Sequence, residues 1–180
     1  MDADGTTAAT DPLTSSRLSR ALIVVVRVAV ALLWIQNLGW KAPPTFGQGA
    51  DPSGLYAFTR FAVERPVFPP YAWLVEHLVL PNFTVFAWGV LLVEAGLGAF
   101  LLIGLATRFW ALVGVAQTLA ITLSVLNAPN EWPWSYFLML IAHTALFATA
   151  AGRYGGIDGL LRPRLGGSTS RWARLLVRAS

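Results

Sequence analysis

Residues 83–105 read FTVFAWGVLLVEAGLGAFLLIGL, an unbroken apolar run whose single charged side chain, Glu94, sits at its middle. About 20 apolar residues rising 1.5 Å each match the roughly 30 Å hydrocarbon core of a bilayer, so this run is a membrane-spanning helix. Working outward from it, three further stretches qualify: Leu18 to Leu38, Phe109 to Leu126, and Trp134 to Ala151. The chain of 180 residues is 56% hydrophobic and 12% charged, with a mean hydropathy of +0.59. These values describe an all-α integral membrane protein, a bundle of four transmembrane helices, with no room for a separate soluble catalytic domain.

The expected organisation is a polar N-terminal tail over residues 1–17, the four-helix domain over 18–151, and a basic C-terminal tail over 152–180. The N-terminal segment is a poor match to a cleaved signal peptide, so the first span is expected to be retained. Gly104 to Arg108 permits only a tight turn between the second and third spans, and Asn127 to Pro133 a short link between the third and fourth. The connection from Lys41 to Asn82 is longer and carries seven prolines. Within it, Leu55, Phe58, Phe61 and Ala62 recur at helical spacing, and Tyr71 to Leu80 is apolar apart from Glu76 and His77. Both read as short interfacial helices over the outer mouth.

Basic residues set the orientation, because Lys and Arg accumulate near the cytoplasmic ends of spans. With both termini inside, Arg17, Arg20, Arg108, Arg153, Arg162, Arg164, Arg171, Arg174 and Arg178 are cytoplasmic, and only Lys41, Arg60 and Arg65 are outside. Arg171, Arg174 and Arg178 share one face of a C-terminal helix, an interfacial element in one reading and a disordered arginine tail in the other. The net charge of +4 favours anionic lipid headgroups and requires no nucleic acid. Lysine occurs once among 13 basic residues, which with the Ala, Val and Leu content points to a GC-rich bacterial genome.

The chain has no cysteine, which excludes a dithiol relay, an iron–sulfur cluster and a thiolate zinc site. Its two histidines, His77 and His143, are poorly matched in depth for haem ligation, and neither metal nor haem is expected.

Each span carries one strongly polar residue near its middle: Arg27, Glu94, Gln117 and His143. A charged side chain at mid-bilayer costs about 2.5–3.5 kcal/mol, so such residues turn inward and pair or serve function. Residues seven apart return to nearly the same helix face, which sets Trp34 and Lys41 in line with Arg27, Ser124 with Gln117, and Tyr136 with His143. Arg27 and Glu94 are the expected counter-ions, with His143 and Gln117 completing the hydrogen bonding. A purely architectural pair that fixes helix register is the bland alternative. Against it stands the outward trail of Trp34, Lys41, Ser124 and Tyr136, which reads as a ligand-binding wall leading to a catalytic group of Glu94, Arg27 and His143. Such a site could hold a quinone headgroup while Glu94 or His143 exchanges protons, or could act as a proton relay in transport.

Arg27, the Gly39-Trp40-Lys41 ending, Glu94-Ala-Gly-Leu-Gly98, Gly104-Leu-Ala-Thr-Arg108 and Gly152-Arg-Tyr-Gly-Gly-Ile-Asp158 occur in an order and spacing that resemble DoxX-type membrane proteins, including the DoxD small subunit of thiosulfate:quinone oxidoreductase. The resemblance implies a multi-pass bacterial plasma-membrane subunit linked to quinones, in sulfur oxidation or in an oxidative-stress complex. It also implies partners: a second oxidoreductase subunit or soluble redox proteins. The lipid bilayer, from the apolar spans, and further copies of the chain itself complete the expected partners. A non-enzymatic scaffold that recruits soluble redox proteins is the competing function. A small transporter ranks third, since the chain shows no inverted repeat.

Overall fold

The computed structural model describes residues 16–180, all in helices, turns and their connections, with no strand among the described residues. The expected N-terminal tail therefore lies outside the described residues except for Ser16 and Arg17. Helix α1 (Arg17–Leu38) starts where the Ser16 hydroxyl accepts the Ser19 amide at 3.0 Å, satisfying one of the orphan donors of a first turn. Helix α2 (Gly54–Glu64) follows a loop, and α3 (Pro69–Leu74) begins on Pro69 and Pro70, residues preorganised for a helix start. A π-helical turn (Val75–Val79) and a 3-10 turn (Leu80–Asn82) lead directly into α4 (Phe83–Ile103). Then come α5 (Thr107–Val125), α6 (Pro133–Thr149), α7 (Ile157–Leu165) and α8 (Arg171–Ala179).

Among the described residues, three helical segments are long and apolar enough to cross a membrane: α1, the run Pro69–Ile103, and α5. The fourth expected span, α6, has 17 residues, because Ala150 turns to a left-handed conformation (φ 47°, ψ 51°) and ends it. The outward faces are apolar as lipid requires, with Val85 and Leu92 of α4 74% and 67% exposed.

The two short helices expected between Lys41 and Asn82 form, as α2 and as α3 with the turns after it, but the second is not separated from α4 by a loop: helix resumes at Pro69 and continues to Ile103. A straight helix of that length would reach about 52 Å. It is not straight. Tyr71 donates to the Ala120 carbonyl at 3.1 Å and meets the Ser124 hydroxyl at 3.0 Å, while Glu94, 23 residues later, contacts Gln117 on the same helix. The run thus bends back over one end of the bundle. Its bend falls at Pro81, which cannot donate to the preceding turn, and at Asn82, whose backbone (φ −115°, ψ 28°) leaves the helical region.

The helices pack as two close pairs. Antiparallel α1 and α4 touch where Gly98 leaves no space for a Cβ, since one would meet Ile35 Cγ1 at 2.7 Å, and α5 and α6 lie together along most of their length. Val30, Ala31 and Trp34 of α1, Leu97 and Leu101 of α4, Ala111 of α5 and Leu146 of α6 form the common core.

At the end of the bundle near the α4–α5 turn, backbone groups freed by the helix ends are met by two buried charges. The turn closes α4 as a Schellman motif: Gly104 (φ 68°) bonds back to Leu101, and Leu105 to Phe100. Arg27 then donates to the Leu101 and Leu102 carbonyls at 3.1 and 3.3 Å and to Gly155 at 3.2 Å. Asp158 accepts the Ala106 and Thr107 amides at 2.7 and 2.9 Å, and its own amide returns to the Gly104 carbonyl at 2.9 Å. A cation therefore caps the C-terminus of α4 and a carboxylate the N-terminus of α5, each with the sign the helix dipole favours. A Cβ on Gly104 would stand 2.0 Å from Arg27 Nη1 and force a left-handed alanine. Gly104→Ala should cost about 2–3 kcal/mol and lower the melting temperature in detergent.

Residues 152–180 fold rather than trail. The Arg162 guanidinium donates to the Val177 carbonyl at 2.9 Å and fastens α8 to α7, with Arg171, Arg174 and Arg178 left exposed.

Candidate functional site

Glu94, at the centre of α4, is fully buried. Its Oε2 lies 2.5 Å from the Lys41 ammonium and accepts from the Asn37 amide at 3.3 Å, while Oε1 accepts from Gln117 at 3.1 Å. Lys41 reaches Glu94 because the chain curls back over the end of α1: Gly39 N bonds to Gln36 O and Lys41 N to Leu38 O. The ammonium also donates to the Asn37 carbonyl at 2.9 Å and stands 4.3 Å from the Trp40 ring centre. A helix C-terminus and an aromatic face both favour a cation there. Lys41 is 3% exposed, so the pair is removed from water with its hydrogen-bonding capacity well used.

The expected Arg27–Glu94 pair does not form. In the antiparallel register of α1 and α4, Arg27 stands level with Leu101 and Leu102, whereas Glu94 stands level with Asn37. Seven or eight residues of α4, about 11 Å, separate the two. Arg27 is an end clamp and Lys41 is the counter-ion.

His143 of α6 accepts the Trp34 indole N–H at Nε2 (2.9 Å), and its Nδ1 lies 2.8 Å from the Met139 carbonyl. An indole can only donate, so the imidazole proton sits on Nδ1 and is given to Met139. Both ring nitrogens are occupied, and the residue ties α6 to α1. Gly114 makes the space: a Cβ there would come within 2.0 Å of the imidazole Cδ2.

Between the α1–α4 and α5–α6 pairs, at the end that holds Lys41, lies a cavity of about 880 Å³. Trp34, Lys41, Glu94, Gln117, Ser124, Tyr136 and His143 all line it, and Arg27 does not. Its remaining walls are largely apolar: Val30 and Leu33 of α1, Phe86 and Val90 of α4, Ile121 of α5, and Leu138 and Met139 of α6. Leu55 and Phe58 of α2, with Tyr71, Val75 and Val79, cover it. Tyr136 and Ser124 are in place, but their hydroxyls are engaged, Tyr136 with Glu131 and Ser124 with Tyr71.

Asn37 was not singled out by the sequence reading, although a Gln36-Asn37 pair ending an apolar span was the available signal. Asp158 was read only as part of a motif. Its position beside a glycine pair gave no sign that it would cap a helix some 50 residues earlier.

Residues 22–179 match the family model described as TQO small subunit DoxD. The chain belongs to the DoxD family. No curated protein and no solved structure matches it. The DoxD match spans α1 to α8, so the cavity, the end clamp and the folded basic segment all fall within it. With its apolar helices, the DoxD chain is a membrane protein, and a small subunit of an oxidoreductase complex implies partner subunits.

Proposed function

We propose that this DoxD-family chain is the membrane subunit of a thiosulfate:quinone oxidoreductase-type complex and that its cavity receives the quinone headgroup. The observation that carries this reading is a cavity of about 880 Å³, within the range of small-molecule sites, whose apolar walls end on a buried Lys41–Glu94 pair. The amide groups of Asn37 and Gln117, half-buried at that end, and the Lys41 ammonium are donors suited to carbonyl oxygens. Quinone reduction to quinol takes two electrons and two protons. The electrons come from a donor on a partner subunit, and Glu94 exchanges protons at the carbonyl end. His143, with both nitrogens engaged, positions Trp34 and moves no proton. In this reading α6 is a fourth crossing, the membrane is a bacterial plasma membrane with both termini cytoplasmic, and the cavity faces outward.

Purification from native membranes in mild detergent, followed by mass spectrometry of bound lipids and proteins, tests it. Near-stoichiometric quinone is expected. Asn37→Leu or Gln117→Leu should each lower occupancy up to about tenfold, the value of one lost hydrogen bond to the headgroup. One observation favours a scaffold instead: three exposed arginines on α8 form a docking face independent of the cavity. Co-purifying redox proteins without quinone would establish that reading and set the cavity reading aside.

A further inference from the structure

The two helix pairs diverge towards the Lys41 end, which opens one gap between α4 and α5 and another between α6 and α1. The first is filled. Phe46 packs edge-on against Trp88 of α4 at 5.3 Å, Tyr56 against Phe83 at 4.8 Å, and Tyr71 is bonded to Ser124 of α5. The second is less closely packed: α1 and α6 touch along far less of their length than α1 does with α4, the Trp34–His143 bond joins them at the cavity floor, and Phe58 of α2 meets Trp40 at 5.3 Å at the outer end.

Six residues flank that second gap. Leu33, Gln36 and Trp40 stand on the α1 side, and Trp132, Ser135 and Leu138 on the α6 side. Each lines the cavity and is exposed, and although Phe58 of α2 and Phe86 of α4 share both properties, these six fall on facing edges of α1 and α6 and mark an opening there. Leu33 and Leu138 lie well inside helices, at a depth where the surroundings are hydrocarbon, whereas Trp40 and Trp132 lie beyond the last turn of α1 and before the first turn of α6, where indoles favour the interface. With α6 as a crossing, the slot faces acyl chains over its lower part.

We propose that the cavity is filled sideways from the bilayer, through the slot between α1 and α6, by an amphiphile whose hydrogen-bond-accepting head rests by Asn37 and Gln117 while its hydrocarbon chain leaves between Leu33 and Leu138. The identity of the head rests on the quinone reading above, and the route rests on α6 crossing the bilayer. A long isoprenoid tail, too large for a cavity of about 880 Å³ to enclose with the head, stays in lipid and is never dehydrated twice. A water-soluble ligand would instead have to pass the cover formed by α2 and α3.

The full chain in lipid nanodiscs is given either a naphthoquinone with a long isoprenoid tail or its tail-less counterpart, and association is followed by stopped-flow tryptophan quenching. Leu138→Trp and Leu33→Trp, which narrow the slot, should slow the tailed quinone about tenfold and the tail-less one less than about twofold. Equal effects on both, or no effect on either, overturn lateral entry while leaving the headgroup site standing. If the unaltered protein binds neither quinone, the quinone reading fails, and the slot is then judged by a nitroxide on Leu138→Cys, unique in a chain without cysteine. Relaxation of that label by oxygen above a water-soluble nickel chelate supports a bilayer-facing slot, and the reverse order overturns it.

Discussion

Lys41→Met should destabilise the folded protein by about 3–5 kcal/mol, the range for breaking a buried ion pair from one side. Glu94 would remain in the bundle with only the Asn37 and Gln117 amides to offset its charge. Glu94→Gln should cost less, because Lys41 keeps the Asn37 carbonyl and the Trp40 ring. The double variant Lys41→Met/Glu94→Gln should regain much of the loss, a coupling that a thermal double-mutant cycle in detergent reads directly. Stability and chemistry then separate. In the proposed oxidoreductase the well-folded double variant loses quinone-linked turnover by about 100-fold or more, the usual value of a proton-transferring group. Normal turnover in that variant would leave the pair an architectural role only.

Arg27→Met should be nearly as damaging, about 3 kcal/mol, for a different reason. Three carbonyls, on Leu101, Leu102 and Gly155, lose their charged donor in a site where Arg27 is 1% exposed, and Asp158 loses the cation that acts on it across the clamp. Arg27→Lys should restore only part of this, since an ammonium cannot span carbonyls on two segments as a planar fork does. The fraction that folds should retain its quinone, because Arg27 does not line the cavity. Quinone lost from well-folded Arg27→Met would return this arginine to the ligand site.

Hydropathy made three of the four expected spans legible, and the periodicity of seven made the inward faces legible, so Trp34, Lys41, Gln117, Ser124, Tyr136 and His143 all line one cavity. Depth was the missing coordinate. A heptad stripe says which way Arg27, Trp34 and Lys41 point, but their partners depend on the offset between α1 and α4, which close approach at Gly98 sets and no single segment encodes. Arg27 and Lys41 thus exchanged roles. Pro81 marked a real boundary, since α4 starts at Phe83, but the boundary is a 3-10 turn that bends a helical run and delivers Tyr71 to α5 rather than a loop. The use of the Trp34 N–H on His143 was likewise invisible, because it needs α1 and α6, 109 residues apart, to be side by side.

The clamp at the α4–α5 turn gathers buried charged hydrogen bonds at one end of the molecule and leaves the hollow at the other. Each helix pair is thus an arm of a clothes-peg, with Arg27 and Asp158 as the spring and the Lys41 end as the jaws. Val90 on the cavity wall is 14 residues from Gly104, an arm of about 21 Å, so a swing of about 5° at the clamp parts the jaws by about 2 Å. Substitutions at Arg27, Gly104 or Asp158 would then alter how quickly the hollow takes up and releases its contents, though none of them touches it.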